Sequence, residues 1–233
     1  MRKQFVKTVE NILNADDKSV LLLGDIGVFG FRNAFKDHPT RTYNIGILEQ
    51  STIGLAAGLS KTGLIPFVHT IAPFIVERSL EQLKIDFGYQ NLNGNFISVG
   101  ASYDYSTLGP THHCPGDIMS LQTIPNIQIV IPGNSQELDF LLKSNYNNCL
   151  PTYYRLSEYE HDQNIDIQVD KANIIKTGKD ATIICFGNIL DSVLESIQNL
   201  DVTVLYYTTI KPFDSKTLYE NYNKKIILIE QFY

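Results

Sequence analysis

The chain has 233 residues, of which 43% are hydrophobic and 19% charged, and its 19 basic and 25 acidic side chains give a formal net charge of −6. This composition is typical of a protein with an apolar core, and the negative charge predicts no binding to nucleic acid. No apolar run reaches the ~20 residues that cross a bilayer, and Cys114, Cys149 and Cys185 have no disulfide or zinc-site spacing, so we expect a cytoplasmic protein without a membrane partner.

The first part of the chain alternates between helical and strand patterns. A helix is predicted over Met1–Asn14, because Phe5, Val9 and Ile12 share one face. The elements predicted after it are strand Ser19–Leu23, strand Thr42–Ile47, helix Gln50–Ser60, strand Ile65–His69, helix Glu77–Tyr89, strand Phe96–Gly100, helix Asp117–Gln122, strand Gln128–Ile131 and helix Ser135–Asn145, the last with Ser135 as its cap. This alternation predicts an α/β protein with a parallel sheet flanked by helices.

A second, shorter α/β unit follows a polar segment. Residues Glu158–Asp166 show no periodicity. The elements predicted after them are strand Ala181–Phe186, helix Ile189–Leu200, strand Val202–Tyr207, helix Ser215–Tyr222 and strand Lys225–Glu230. We therefore expect a first domain over residues 1–157, a linker over residues 158–173 and a shortened second α/β domain over residues 174–233, which is small enough to be marginal by itself.

The first segment with residues suited to chemistry is NIGILEQ, residues 44–50, which is followed by a helix rich in small residues. Glu49 stands at the start of that helix, where the helix dipole favours an acidic side chain. One interpretation is a solvated glutamate at a helix start. The other is a carboxylate buried at an interface, where Gly54 and Gly58 let another backbone approach closely. The pattern by itself leaves both open.

Two further segments follow strands. The loop LGPTHHCPGD, residues 108–117, carries His112, His113 and Cys114, and loops at the carboxyl ends of parallel strands are where α/β proteins bind ligands. A metal site, an acid–base or hydrogen-bonding histidine pair and a structural loop all remain open, although adjacent histidines do not easily reach one ion. In HTIAPFIVER, residues 69–78, Phe74 either stacks on a flat ring or belongs to the core.

The segments GILEQSTIGLAAGL, HTIAPFIVERSLEQLKIDFGYQNLN and YSTLGPTHHCPGDIMSLQTIPNIQIVIPGN together resemble the transketolase family of thiamine diphosphate enzymes. The resemblance covers about Gln4–Tyr154 as the family's pyrimidine-binding domain, and Ile174–Tyr233 resembles the first part of its C-terminal domain. The order and spacing of the three segments make it much more specific than any one of them. The activity that it implies is transfer of a two-carbon ketol unit between sugars.

The resemblance also implies residue roles. Glu49 matches the glutamate that hydrogen-bonds N1′ of the cofactor's aminopyrimidine ring and so activates the cofactor. Phe74 matches the aromatic residue that stacks on this ring, and Arg78 and His69 lie close to the cofactor. His112 matches the histidine that contacts the donor's hydroxyl groups and assists proton transfer.

Several positions depart from the family pattern. Leu108 stands where sugar-phosphate transketolases have an aspartate, and Tyr103 where a phosphate-contacting histidine is common. Glu158 takes the position of the arginine that grips the substrate phosphate, and this change replaces a bidentate anion site by a repulsive charge. Arg155 is the candidate replacement in substrate binding. We therefore expect an acceptor other than a simple aldose phosphate.

The sequence has no Gly-Asp-Gly motif, which in this family holds the cofactor's diphosphate with a divalent metal. The resemblance therefore implies the C-terminal subunit of a split transketolase, with no metal site of its own. An N-terminal partner subunit would hold the diphosphate and its Mg or Ca ion, in an α2β2-type assembly whose active site lies at the subunit interface. Two alternatives stay open: a subunit of another thiamine diphosphate enzyme (a 2-oxo acid dehydrogenase β subunit or a deoxyxylulose-phosphate synthase), and a non-catalytic scaffold or regulatory half.

Overall fold

The strands of the chain form two sheets in a computed structural model that describes residues 1–232; Tyr233, at the end of the predicted second domain, lies outside that range. The strands are β1 (Ser19–Leu23), β2 (Thr42–Asn44), β3 (Ile65–Ile71), β4 (Gly94–Val99), β5 (Gln128–Val130), β6 (Pro151–Arg155), β7 (Ala172–Lys176), β8 (Ala181–Phe186), β9 (Val202–Tyr207), β10 (Thr209–Lys211) and β11 (Ile226–Ile229). The helices are α1 (Arg2–Ala15), α2 (Arg32–Asp37), α3 (Glu49–Lys61), α4 (Ala72–Val76), α5 (Leu80–Gln82), α6 (Asp117–Gln122), α7 (Ser135–Asn145), α8 (Leu190–Ser196) and α9 (Ser215–Asn221).

The larger sheet has seven strands in the order β10-β5-β6-β4-β3-β1-β2. Its neighbours pair in parallel, except that β10 runs antiparallel to β5 with Thr209 opposite Val130. The smaller sheet has the order β11-β8-β9-β7, and only β7 is antiparallel to its neighbour. These two layers confirm the predicted α/β class with a second, smaller sheet. Because β10 follows β9 in sequence yet pairs with β5, the second part of the chain completes the first sheet.

The sheet is buried on both faces, as its sequence requires. Strand β1 reads SVLLL and all five residues are buried, which is the pattern of a parallel strand covered on two sides. Phe5 and Val9 of α1 pack on one face together with Leu21, whereas Ile53 and Ala56 of α3 belong to the core on the other face. The sheet is therefore rigid, and its carboxyl edge is a fixed platform for the loops that leave it.

Three predicted details are wrong. The strand predicted over Thr42–Ile47 ends at Asn44. The single helix predicted over Glu77–Tyr89 begins with a turn over residues 77–79, followed by α5 and then by π-helical winding over Leu83–Tyr89. A separate helix, α4, precedes this range and begins directly at the end of β3 with Pro73 in its first turn. The cap of α7 is Asn134 and not Ser135, because Asn134 has the extended backbone of a cap and its side-chain oxygen accepts from the backbone N–H groups of Gln136 and Glu137 at 3.0 Å.

Four elements were not predicted: α2, β6, β7 and β10. Three of them have five residues or fewer in strand conformation, so their patterns are too short to separate from loops. The helix predicted over Ile189–Leu200 is shorter and is preceded by a 3₁₀ turn over Gly187–Ile189. No helix within residues 1–232 is long and apolar enough to cross a lipid bilayer.

Candidate functional site

Most of the predicted site residues lie along one edge of the larger sheet. Strands β1, β2, β3, β4 and β6 are parallel, so the segments that follow them all leave from the carboxyl edge. Glu49 follows β2, Phe74 and Arg78 follow β3, and the loop with His112 follows β4. His69 lies near the carboxyl end of β3 itself.

Glu49 is the first residue of α3 and is only 2% exposed. Its Oε2 accepts a hydrogen bond from Nη1 of Arg78 at 2.6 Å, and its Oε1 accepts a long one from Oγ1 of Thr70 at 3.3 Å. Gly24 approaches the same carboxylate, since a Cβ on Gly24 would lie 3.0 Å from Thr70 and 3.6 Å from Oε1. Of the two interpretations left open by the sequence, the solvated glutamate is therefore wrong, and Glu49 is a buried carboxylate.

Phe74, Arg78 and His112 continue the site from Glu49. The Arg78 guanidinium carbon lies 4.1 Å from the centroid of the Phe74 ring, in the geometry of a cation–π contact. The His112 ring packs edge-on against the same Phe74 ring with centroids 5.3 Å apart. His112 also forms a hydrogen bond through Nδ1 to Oγ1 of Thr111 at 2.9 Å. The structure thus links Glu49, Arg78, Phe74 and His112 in one continuous set of contacts.

His69 faces a different space. It is 1% exposed, and its Nδ1 lies 2.9 Å from the carbonyl oxygen of Ile97, so Nδ1 carries the hydrogen. Burial, with a smaller contribution from the nearby Arg2, lowers the pKa of His69 to about 4, although the hydrogen bond to Ile97 acts in the opposite direction. The ring is therefore neutral near pH 7. It lines a cavity of about 450 Å³ with Phe5, Gly27 and the basic residues Arg2 and Lys3.

Tyr103 and Leu108 lie on the loop after β4 and are 54% and 56% exposed. The Tyr103 ring packs edge-on against His113 with centroids 5.1 Å apart. Arg155 lies apart from them, at the end of β6, and is only 3% exposed. Its Nε donates to Oδ2 of Asp117 at 2.7 Å, and its Nη2 donates to Oγ of Ser102 at 2.6 Å. The guanidinium is thus engaged inside the protein and does not face the Glu49 site.

Large apolar side chains close to Glu49 in the chain are exposed. Ile47 and Leu48, which immediately precede it, are 64% and 57% exposed, and Leu55, further along α3, is 45% exposed. Phe29, in the loop after β1, lines the same cavity as His69 and is the most exposed of the phenylalanines described. Exposed apolar side chains grouped as Ile47 and Leu48 are at the start of α3 are typical of a binding surface.

Sequence reasoning missed Thr70, Gly24 and Asp117. Thr70 and Gly24 carry no side chain that signals chemistry, and only the fold brings them to Glu49. Asp117 is fully buried and accepts from Arg155, a pairing that no local pattern reveals. Within residues 1–232 no group of three or more His, Cys, Asp or Glu side chains is arranged to hold a metal ion.

Comparisons with known proteins agree with this fold. The family model of the transketolase pyrimidine binding domain matches residues 1–161, and that of the transketolase C-terminal domain matches residues 170–231. The chain is 38% identical over 214 residues to an uncharacterized 33.6 kDa protein in the fasciation locus of Rhodococcoides fascians, covering 92% of this chain and 69% of that protein. It is 31% identical to a subunit of the apulose-4-phosphate transketolase of Phocaeicola vulgatus, covering 93% of this chain and 73% of that protein.

A solved structure described as a split gene transketolase, inactive beta4 tetramer, superposes with a TM-score of 0.86 at 25% identity, covering 98% of this chain and 78% of that one. The fold, the two domain matches and these relatives define a protein of the thiamine diphosphate-dependent class. The chain belongs to the transketolase family. The boundaries at residues 157 and 174 stay a prediction.

Proposed function

We propose that this chain is the C-terminal subunit of a split, thiamine diphosphate-dependent transketolase that transfers a two-carbon ketol unit between sugars. The observation that carries the proposal is the buried Glu49 carboxylate, 2% exposed and in one set of contacts with Arg78, Phe74 and His112. A scaffold has no need of a buried acid beside an aromatic ring and a histidine, since burying a carboxylate is unfavourable without compensation.

The residues present fit the aminopyrimidine ring of the cofactor. Arg78 engages Oε2 of Glu49, whereas Oε1 has only the long contact to Thr70 and faces Gly24, which leaves room beside it. Phe74 is half-buried, so part of its ring is available for stacking. When bound, the cofactor supplies the electron sink for cleavage of the ketose. Glu49 would hold a proton at the ring nitrogen N1′, and Phe74 would orient the ring.

His112 and the exposed loop around it supply the substrate side of the proposed site. An imidazole can both accept and donate a proton, so His112 suits proton transfer to and from the sugar hydroxyl groups. Glu158, at the position of the family's phosphate-gripping arginine, is exposed and repels a phosphate group, and Arg155 is engaged with Asp117. Both observations support an acceptor other than a simple aldose phosphate, in contact with Tyr103, Leu108 and His112.

The proposed partner is an N-terminal subunit that holds the cofactor's diphosphate and its Mg or Ca ion. The chain has no Gly-Asp-Gly motif. Ile47 and Leu48, directly before the buried Glu49, and Leu55 on the helix that Glu49 begins are exposed. A partner packed on this surface would bury the apolar side chains and complete the site in an α2β2-type assembly. The three cysteines are unpaired, which supports a reducing compartment such as the cytoplasm.

Reconstitution with a partner subunit that carries a Gly-Asp-Gly motif tests this function. We expect isothermal titration calorimetry to detect tight binding of thiamine diphosphate to the complex, and no comparable binding to either subunit alone. The complex is then assayed for ketol transfer between sugars and, in parallel, for pyruvate decarboxylation. Comparable affinity in the isolated chain would refute the partnership. Pyruvate decarboxylation without ketol transfer would assign the chain to the dehydrogenase or synthase alternatives, and full turnover of erythrose or ribose phosphate would refute the predicted acceptor class.

A further inference from the structure

Ser102, Asp117 and Arg155 form a buried group beneath the loop that carries His112; we call these three residues the loop anchor. The Arg155 guanidinium donates through Nη2 to Oγ of Ser102 at 2.6 Å and through Nε to Oδ2 of Asp117 at 2.7 Å. All three side chains are at most 5% exposed. Hydrogen bonds to a charged donor in such a low-dielectric setting are short and strong.

The loop anchor joins the two ends of one loop. Ser102 directly precedes residues 103–113, which we call the His112 loop, and Asp117 begins α6 just after it. The ends are also paired through the backbone, since the N–H of Cys114 donates to the carbonyl of Ser102 at 2.9 Å. Every residue from 103 to 113 is exposed or half-buried, so the His112 loop has little core packing to order it. Its order therefore depends largely on its two ends, and near the first of them Asp104 also accepts hydrogen bonds from Ser157 and from the backbone N–H of Glu158.

The backbone at Ser102 shows that this end is held in a specific conformation. Ser102 has a φ of 48°, in the left-handed region that residues other than glycine adopt rarely. Such a conformation costs free energy and persists when surrounding contacts require it. The contacts made by the Ser102 side chain are the bond from Arg155 and a bond that it donates to the carbonyl of Gln231. Arg155 thus holds Ser102, the residue at which the chain passes from β4 into the loop.

Asp117 keeps Arg155 in place. Its Oδ2 accepts from Arg155 and from the hydroxyl of Tyr153 at 2.9 Å, and its Oδ1 accepts from the backbone N–H of Ile118 at 3.0 Å. Both carboxylate oxygens are occupied, and the ion pair is almost fully buried. Releasing Arg155 to grip a substrate phosphate would leave a buried carboxylate without its charge partner, which is strongly unfavourable.

We propose that Arg155 is a positioning residue, which holds both ends of the His112 loop and thereby places His112 against Phe74, and that it does not bind substrate directly. The assignment of His112 to the sugar rests on the proposed function, whereas the anchoring of the loop does not. Misplacing a reacting group by about 1 Å costs on the order of 100-fold in rate, so ordering this loop matters for the chemistry.

The test uses Arg155→Gln and Ser102→Ala, with Ser60→Ala as the matched control. Ser60 is a half-buried serine on α3 whose hydroxyl donates to the carbonyl of Asn93 at 2.7 Å, at the opposite end of β4 from the His112 loop. Chymotrypsin digestion of the folded full chain, mapped by mass spectrometry, measures opening of the loop at Tyr103, Tyr105 and Leu108. We expect cleavage there to be at least about tenfold faster in both anchor variants, since local opening governs cleavage, and unchanged in Ser60→Ala.

Two further readouts separate positioning from loss of stability. The His112 imidazole signals in a ¹H–¹³C spectrum, assigned with His112→Gln, should shift and broaden in the anchor variants and stay in place in Ser60→Ala. In the reconstituted complex, KM for the donor sugar should rise at least about tenfold in Ser102→Ala, with the affinity for thiamine diphosphate unchanged. Ser102→Ala keeps the Asp117–Arg155 pair, so the test survives if Arg155→Gln does not fold.

The outcomes are distinguishable. Wild-type cleavage and wild-type His112 signals in both anchor variants would overturn the inference. A change in Ser102→Ala alone would also overturn it, because the loop would then be held through Gln231 and not through Arg155. If the loop opens in both variants but ketol transfer proceeds at the wild-type rate, the anchor stands and the role of His112 in the proposed function fails.

Discussion

Two of the arginine–carboxylate pairs within residues 1–232 have almost the same distance and different surroundings. Arg78 lies 2.6 Å from Glu49 and Arg155 lies 2.7 Å from Asp117, and both acids are buried. The arginines differ, because the Arg78 side chain is 40% exposed and the Arg155 side chain only 3%. The distance within an ion pair therefore says little about its role, and the exposure of the arginine says more.

The buried pair also has the more completely hydrogen-bonded carboxylate. Both oxygens of Asp117 have short hydrogen bonds, from Arg155, Tyr153 and the backbone of Ile118. Glu49 has one strong partner at Oε2 and only the 3.3 Å contact from Thr70 at Oε1. A carboxylate with an unused oxygen at the carboxyl edge of a sheet can accept a ligand, whereas a saturated one can only stabilise the fold. Four predictions test this distinction.

Replacing Glu49 with Gln should give the largest effect. The amide keeps the size of the side chain but cannot hold the proton that activates the cofactor, so we expect kcat for ketol transfer to fall about 10³-fold in the reconstituted complex. The chain should stay folded by circular dichroism, because the half-exposed Arg78 remains solvated. Activity within a factor of a few of the wild type would contradict the proposed function and favour the scaffold alternative.

Replacing Asp117 with Asn should act on stability instead. The change leaves Arg155 buried without a counter-charge, which costs about 3 kcal/mol in the free energy of unfolding. Urea denaturation of the chain measures this loss, and Glu49→Gln is the control, with an expected loss below about 1 kcal/mol for a pair with an exposed arginine. Similar losses in the two variants would show that the exposure of the arginine does not separate the two pairs.

His69 lies at the same edge of the sheet and is buried without an ion pair. It tests how burial by itself makes the free energy of unfolding depend on pH. Its pKa is about 4 in the folded chain, against 6.5 for an unperturbed imidazole, so the unfolded chain binds the proton more readily between these values. The stability that depends on a neutral His69 is complete above about pH 6.5 and is lost as the pH falls towards 4, by up to about 3 kcal/mol.

The measurement is the free energy of unfolding from pH 4 to pH 7 in the wild type and in His69→Gln, whose amide can still donate to the carbonyl of Ile97. The difference between the two proteins should depend on pH only in this range. A slope that survives in His69→Gln would assign the acid sensitivity to other groups.

The sequence predicted the sheet well and the polar contacts poorly, for a physical reason. Strands such as β1 and β9 are largely apolar runs, and this composition predicts burial on both faces. Motif order also predicted that Glu49, Phe74 and His112 share one site, and the fold brings them into one set of contacts through Arg78. The engagement of Arg155 could not be predicted, because Ser102 and Asp117 lie 53 and 38 residues away from it in the chain and meet it only after folding.

The same dependence on contacts between distant segments explains why β10 was not predicted. Thr209–Lys211 is too short to show a strand pattern, and its pairing with β5 depends on how the second part of the chain packs on the first. The prediction of a single helix over Glu77–Tyr89 is wrong for a different reason, because apolar periodicity does not distinguish α-helical from π-helical winding. Local patterns thus predict elements, and contacts between distant segments decide which polar side chains stay available to a ligand.

Replacing Phe74 with Leu should give the smallest effect, and one confined to cofactor binding. Leucine keeps an apolar side chain beside Arg78 but removes the flat face on which an aminopyrimidine ring stacks. Aromatic stacking contributes about 0.5–1.5 kcal/mol beyond burial, so the Kd of the complex for thiamine diphosphate should rise about three- to tenfold. The matched control is Phe140→Leu, a partly exposed phenylalanine on α7, which should leave the Kd unchanged. Equal Kd values in all three proteins would mean that Phe74 serves only to hold Arg78 and His112. A cofactor ring bound beside Glu49 would then not stack on Phe74.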